Sequence, residues 1–370
     1  MSTAFPMYLH IGAPKTGTTY LQTVMRKNRS LVTEAGYCYP GPSGRHLFAA
    51  QDLLGRGRTG PNAKHINGSW DQHVAEILAW QGPAVMSHEI LGAGVREAEV
   101  ERVATDFATR ELHIVYTARD LLRQLPAVWQ ESIKNRSTLT FAEYVDLIKG
   151  KERARARTHV AERRIWRAQN AEWVLGKWAD VVAPERIHVV TVPPKGASRT
   201  LLWERFASAL GLAPEGYDLD TGGSNVSLDA VEASVLRRLN VRLKAGDSTL
   251  PWSRYTYVKH YLATEVLPER SGRRPIELSL AQQQWAVAQS IRVADAVEAG
   301  RYDVVGDLDE LRPQVGRERT FDPDQVLAAD ERDVAIAAVE GLLRLNLADD
   351  ATGSDDDDVV SDDHDPAGDD

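Results

Sequence analysis

Near its start the chain runs from an apolar, β-prone stretch (Met7, Tyr8, Leu9, Ile11) straight into Gly12-Ala13-Pro14-Lys15-Thr16-Gly17-Thr18-Thr19. A helical spacing of apolar residues follows at once, at Tyr20, Leu21, Val24 and Met25. Strand, glycine-containing turn and helix start, in that order, cradle a phosphate. Backbone N–H groups point at the anion and the helix dipole favours negative charge there. Lys15 adds a full positive charge, and Thr16, Thr18 and Thr19 add hydroxyl donors. The segment is not a Walker A loop, which brackets four residues between two glycines ahead of Lys and Ser/Thr. Here the step from Gly12 to Lys15 is shorter, and Gly17 follows the lysine.

The rest of the chain fits a turn of this kind. Apolar runs predict strands over residues 7–11, 84–87, 112–117 and 187–192; the last three are short and continuous, as in buried parallel strands. Helical patterns lie over 19–28, 70–80, 98–109, 121–134, 140–149, 163–179 and 201–210. The alternation predicts an α/β, P-loop-type three-layer fold around a central parallel sheet, with ligands beyond the carboxyl ends of the strands. Residues 36–67 are rich in Gly, Pro, Arg and His and read as long active-site loops. Helices over 228–245, 252–267, 278–299 and 334–347 read as a C-terminal extension of one domain spanning 1–348.

Charge belongs mostly to the tail. Without the 11 Asp from residue 349 onward, 42 acidic residues stand against 44 basic ones, so the formal charge of −9 describes the end of the chain rather than its body. Residues 349–370 cannot bury enough apolar surface to fold and are expected to be a disordered acidic tail. Cys38 is the single cysteine, which excludes an internal disulfide and suits a reducing cytosol. With no basic, apolar leader and no apolar stretch near the ~18 residues that span a bilayer, a cytoplasmic protein without a membrane span is expected.

Pro14-Lys15-Thr16-Gly17-Thr18-Thr19 at the end of the first strand resembles the 5′-phosphosulfate-binding loop of the sulfotransferase family, which uses 3′-phosphoadenosine 5′-phosphosulfate (PAPS). The resemblance extends over about residues 5–312 and is closest to bacterial sulfotransferase-like proteins, through Ile187–Pro194, Leu201–Phe206, Asn225–Leu228, Arg237–Asn240 and Gly306–Leu311. It implies that Pro14, Lys15, Thr16, Gly17, Thr18 and Thr19 hold the 5′-phosphate and the sulfuryl group, with Lys15 bridging them. It also places Arg119, in Tyr116-Thr117-Ala118-Arg119-Asp120, on the 3′-phosphate, where a guanidinium can bind bidentately. The other reading of Arg119 is an ion pair with Asp120. The family's serine two turns on is replaced by Ala127, and Ser132 lies about a turn too far, so Gln124, Gln130 or Arg123 would have to supply the missing donor.

Sulfuryl transfer needs a base for the acceptor's proton. The family places a His or Glu at the end of the second strand, and here His88 and Glu89 stand side by side after Ser87. The Ser-x-Glu form resembles the carbohydrate-type members, which favours Glu89, with His88 as the runner-up. His46 is a candidate for the acceptor pocket. Lys151, Arg153, Arg155, Arg157, Arg163, Arg164 and Arg167 make a basic stretch, but interleaved Ala and Glu and the lack of an aromatic platform favour a solvated helix face, ahead of an entry path for an anionic acceptor or cofactor and of nucleic-acid binding. No Cys/His cluster has metal-ligand spacing. The sequence thus predicts a PAPS-dependent sulfotransferase acting, without a metal, on a hydroxyl or amine of a carbohydrate, lipid or small metabolite. Two rivals stand beside it. One is a non-catalytic nucleotide- or partner-binding protein on the same scaffold. The other is a P-loop phosphotransferase, which would need a magnesium-binding aspartate at a strand end, and neither Val115-Tyr116-Thr117 nor Val189-Val190-Thr191 provides one.

Overall fold

The computed structural model describes residues 4–60, 62–150, 166–198, 200–222, 227–245, 255, 262–264, 266–267 and 273–339. The acidic tail, most of the basic stretch, Asn225, Val226 and most of the helix expected over 252–267 lie outside the described residues. The chain divides into two units.

The first unit comprises residues 1–124, 164–222 and 285–314. Its centre is a five-stranded parallel sheet of β1 (Pro6–His10), β2 (Ala84–Ser87), β3 (Glu111–Ala118), β4 (Ile187–Thr191) and β5 (Asp303–Val305), in the order β2-β1-β3-β4-β5. In register, Leu9 pairs with Met86 and with Ile114, and Val189 pairs with Tyr116 and Val304. The strand order reverses at β1, which puts the chain leaving β1 at the switch point where such sheets bind ligands.

Alternate side chains bury into two cores. Met7, Leu9, Met86, Ile114, Tyr116 and Val189 pack on one side with α5 (Ser69–Ala79), α7 (Glu97–Asp106) and α10 (Ala171–Ala179). Tyr8, Val85, Val115 and Val190 pack on the other with α1 (Thr18–Lys27) and α11 (Leu201–Leu210). The loops expected over 36–67 also hold two short helices, α3 (Leu47–Leu53) and α4 (Ala63–Ile66); α2 (Arg29–Glu34) precedes them and α6 (Ile90–Ala93) follows β2.

The second unit comprises residues 125–163, 223–284 and 315–370. It holds most of α8 (Leu121–Lys134), α9 (Phe141–Ile148), α12 (Ala230–Ala245), the first turn of α13 (Leu280–Ala299) and a helix over 328–339. Asn240 joins its helices from within: its amide donates to Ile133 O and Ser137 O, and its own oxygen accepts from the Tyr255 hydroxyl. Asp324 takes the N–H groups of Phe141 and Ala142 at the start of α9. Among the described residues no helix is long and apolar enough to cross a membrane.

Candidate active site

The chain leaves β1 through His10 and Ile11 into a turn with three left-handed residues: Gly12 at φ 59°, Lys15 at φ 66° and Gly17 at φ 89°. A lysine in that region is strained, by about 1–3 kcal/mol, so the surroundings must hold it. Three later segments do so. Ala13 N–H donates to Thr117 O of β3 at 3.1 Å. The Thr16 hydroxyl donates to Ala13 O at 2.5 Å and meets the Thr117 hydroxyl at 2.5 Å. The Gln124 and Gln169 amides both donate to Pro14 O, at 2.5 and 3.1 Å, and the Gln124 amide also donates to Gln169 Oε1 at 2.8 Å.

These bonds sort the expected anion-binding residues. The Thr16 side chain is buried and turned inward, so its hydroxyl shapes the turn rather than facing a ligand. Thr18 is also buried, while Lys15 and Thr19 are exposed. Gly17 leads into α1, whose N-terminus no side chain caps. A helix start without a side-chain cap is of the kind whose first-turn N–H groups and dipole suit an anion.

Glu89 comes from the end of β2 and lies against this turn: a Cβ on Gly12 would stand 2.9 Å from Glu89 Cβ and 2.7 Å from Thr18 Cγ2. Gln22 of α1 donates to Glu89 Oε2 at 3.1 Å. Burial raises the Glu89 carboxyl, but the electrostatic influence of neighbouring His88, bonds from its own N–H and from Gln22, and the influence of His10 outweigh it and hold the group below its ordinary value. Glu89 is therefore an ionised acceptor at neutral pH. His88 is placed differently. Ile90 N–H donates to its Nδ1 at 3.2 Å, which uses that nitrogen's lone pair inward and places the proton of the neutral tautomer on Nε2.

Behind these two residues sit histidines with structural tasks. His46 is buried, with Nε2 against Pro40 O at 3.2 Å and Nδ1 accepting from Ser87 N–H at 3.0 Å. Burial, with His73, pushes its imidazole down to about 3. Both ring nitrogens are spent, so His46 pins its loop to β2 and has none to offer an acceptor. His10, whose role the sequence does not reveal, is fully buried at the end of β1. Its Nδ1 meets Ser87 Oγ at 2.7 Å and its Nε2 has no partner. Burial, opposed by Glu89, takes it down to about 4.

Arg119 follows β3. Asp120 is not its partner: that carboxylate accepts the Arg123 N–H at 2.9 Å, capping α8, and pairs with the Arg123 guanidinium. Arg123 is further tied to Pro193 O and Val192 O. Arg119 Nε is left buried without a hydrogen-bond partner. Burial, with Arg123 adding and Asp120 opposing, lowers Arg119 to about 10, which leaves it charged at neutral pH. Arg123 and Gln124 are thus committed elsewhere, and Ser132 donates to Trp129 O within its own helix. Among the described residues no group of three or more His, Cys, Asp or Glu could hold a metal ion.

No protein-family profile matches the chain, and no curated protein matches its sequence. Among solved structures the chain is similar to a sulfotransferase from Alicyclobacillus acidocaldarius, at 16% sequence identity and a TM-score of 0.47, over 84% of this chain and 100% of that one.

Proposed function

We propose that the chain is a PAPS-dependent sulfotransferase that transfers the sulfuryl group to a hydroxyl or amine of a carbohydrate, lipid or small metabolite. The observation that carries this reading is that Lys15, Arg119 and an ionised Glu89 all follow the carboxyl ends of neighbouring parallel strands, β1, β3 and β2. Lys15 and the uncapped start of α1 suit a 5′-phosphosulfate. Arg119, charged and with its Nε unpaired in the interior, suits a 3′-phosphate. Glu89 suits the base, since the lone pair of His88 Nδ1 is already taken by Ile90.

In this reading the acceptor oxygen or nitrogen bonds to sulfur as the bond from sulfur to the bridging phosphate oxygen breaks. The acceptor's proton passes to Glu89, and Lys15 neutralises charge growing on the departing oxygen. Gln22 holds Glu89 beside the turn, which fixes the base relative to the transferred group.

Calorimetry with 3′-phosphoadenosine 5′-phosphate and with AMP tests the binding half. The wild type is expected to prefer the former. Lys15→Ala should weaken it by about ten- to a hundredfold, as for one charge-assisted contact, and Arg119→Ala should erase the preference. Equal binding of both nucleotides by the wild type would sink the assignment of Arg119. For catalysis, Glu89→Gln should bind the nucleotide normally yet lose roughly 10²–10⁴-fold in transfer to an acceptor found by screening. Inactivation by His88→Ala with Glu89→Gln spared would invert the choice of base. Tight nucleotide binding without transfer to any acceptor would favour the non-catalytic scaffold.

A further inference from the structure

The amino-terminal halves of β3, β4 and β5 carry a second polar cluster that the proposed reaction does not use. Four side chains stand in a row. Glu111 Oε1 and His113 Nε2 are 2.9 Å apart, His113 Nδ1 and His188 Nε2 are 2.9 Å apart, and His188 Nδ1 and Asp303 Oδ2 are 2.6 Å apart. Strand pairing sets the row, because His188 is opposite Asp303 and His113 is opposite Tyr8. The imidazoles lie nearly parallel, 6° apart in tilt with centroids at 5.1 Å, and the Tyr8 ring packs on His113 at 4.8 Å. Both rings are buried, whereas the two carboxylate side chains are about half exposed.

The protons in this row can be counted. Each outer contact needs an N–H, because a carboxylate only accepts. The inner contact needs one proton, on either nitrogen. Three protons on four nitrogens is one more than two neutral imidazoles hold, so making all three contacts at once requires a single positive charge on the pair, between two carboxylates. A fourth proton would set N–H against N–H at 2.9 Å. Loss of the third would leave a lone pair facing a lone pair or a carboxylate.

We propose that His113 and His188 form a shared-proton link that holds one extra proton, and only one, and so makes the joining of β3, β4 and β5 sensitive to pH in both directions. The charged and titratable groups facing the pair are Tyr8 of β1, Glu111 of β3, Arg186 from the turn before β4, and Asp303 of β5, with Tyr37 next to Tyr8 in the same core. On this side α11 packs apolar residues, Trp203, Phe206 and Leu210. Burial holds the His113 imidazole below its ordinary value, His188 and Arg186 adding to the effect and Glu111 opposing it, which works against a second charge.

The sign follows from proton uptake. Below the ordinary histidine value, about 6.5, the unfolded chain protonates both rings and the native pair accepts only one proton, so stability is lost as pH falls. Above it the unfolded chain has released both extra protons and the native pair keeps one, so stability is lost as pH rises. The link contributes most near pH 6.5.

Imidazole ¹⁵N–¹H spectra of the wild type provide the direct test and need no variant. Around neutrality one proton shared between two imidazole nitrogens is expected, unchanged across a unit of pH on either side. Urea unfolding from about pH 5 to about pH 8 provides the second. The ratio of folding constants, wild type to the double variant His113→Gln/His188→Gln, should peak near 6.5 and fall by up to about tenfold per pH unit toward acid. The double variant subtracts the other histidines. Two imidazoles that titrate independently near their ordinary value, or a ratio that stays flat with pH, would overturn the proposal.

Discussion

Gly12 has room for no side chain and a backbone that no side chain favours. Its φ of 59° is left-handed, and a Cβ would press on Thr18 from one side and Glu89 from the other. Gly12→Ala is expected to cost about 1–3 kcal/mol in backbone strain alone, before Thr18 and Glu89 move. Because those two residues frame the turn, binding of 3′-phosphoadenosine 5′-phosphate should fall further than stability does. Urea unfolding and calorimetry of the same variant separate the two effects, and unchanged affinity would show that the turn does not form the site. Thr16 makes the complementary case. Its hydroxyl bridges Ala13 O and Thr117, so Thr16→Val should loosen the turn, whereas the exposed Thr19→Val should leave stability within about 0.5 kcal/mol.

At the scale of elements, the Arg205–Glu310 ion pair helps to hold the edge of the sheet. β5 is short and half-exposed, and a 3₁₀ turn (Leu308–Leu311) follows it. From that turn Glu310 accepts from the Thr191 hydroxyl at 2.6 Å and from both terminal nitrogens of Arg205, at 2.6 and 2.9 Å. Arg205 also donates to Thr191 O. Gly306 passes so close that a Cβ would collide with Thr191 and Arg205. β4, α11 and β5 thus meet at a bidentate contact with little solvent on it. Glu310→Ala leaves the Arg205 guanidinium buried without its partner and should cost roughly 3 kcal/mol. Arg205→Met/Glu310→Leu should cost less than that, since it removes both charges. Thermal melts of the two check this, and a double variant worse than the single would refute the account.

Across the whole molecule, buried neutral histidines set the acid limit. His10 and His46 have native values of about 4 and about 3, against about 6.5 when unfolded. Their native values are depressed, so the stability they contribute is present above the unfolded value. It is lost as pH falls from about 6.5 toward those native values, because the unfolded chain binds the extra protons. Acid unfolding should therefore begin well above the carboxylate range and take up protons. Replacing His46 by Gln should flatten the profile below about pH 6, which urea midpoints at two pH values can show.

The parts of this molecule that were legible beforehand are those written in local pattern. Continuous apolar runs marked β2, β3 and β4, and the helix α8 falls over the expected residues despite Pro126. β5 was not legible, because three half-exposed residues carry no periodicity. Nor were α3 and α4, buried in a glycine-rich stretch that reads as loop. At the site, the turn and Arg119 are marked by strand ends, but the direction of a side chain is not. That Thr16 faces inward, that His46 is spent on Pro40 and Ser87, and that Asp120 serves Arg123 all depend on partners far away in sequence. Gln22 and Gln169 carry no signal of their own, since a glutamine on a helix or in a loop is ordinary until its partner is known.

The bracing of the first turn also has a consequence in time. Thr117, Gln124 and Gln169 hold a segment that ends at Thr19. A ribosome delivers the Lys-Thr-Gly-Thr-Thr string long before the residues that shape it. A nascent chain stalled after α5 contains every residue of the turn and none of its props. The shape of the turn is therefore not a property of the string but of a chain extended through Gln169. Synthesis itself delays the site until most of the surrounding sheet has emerged.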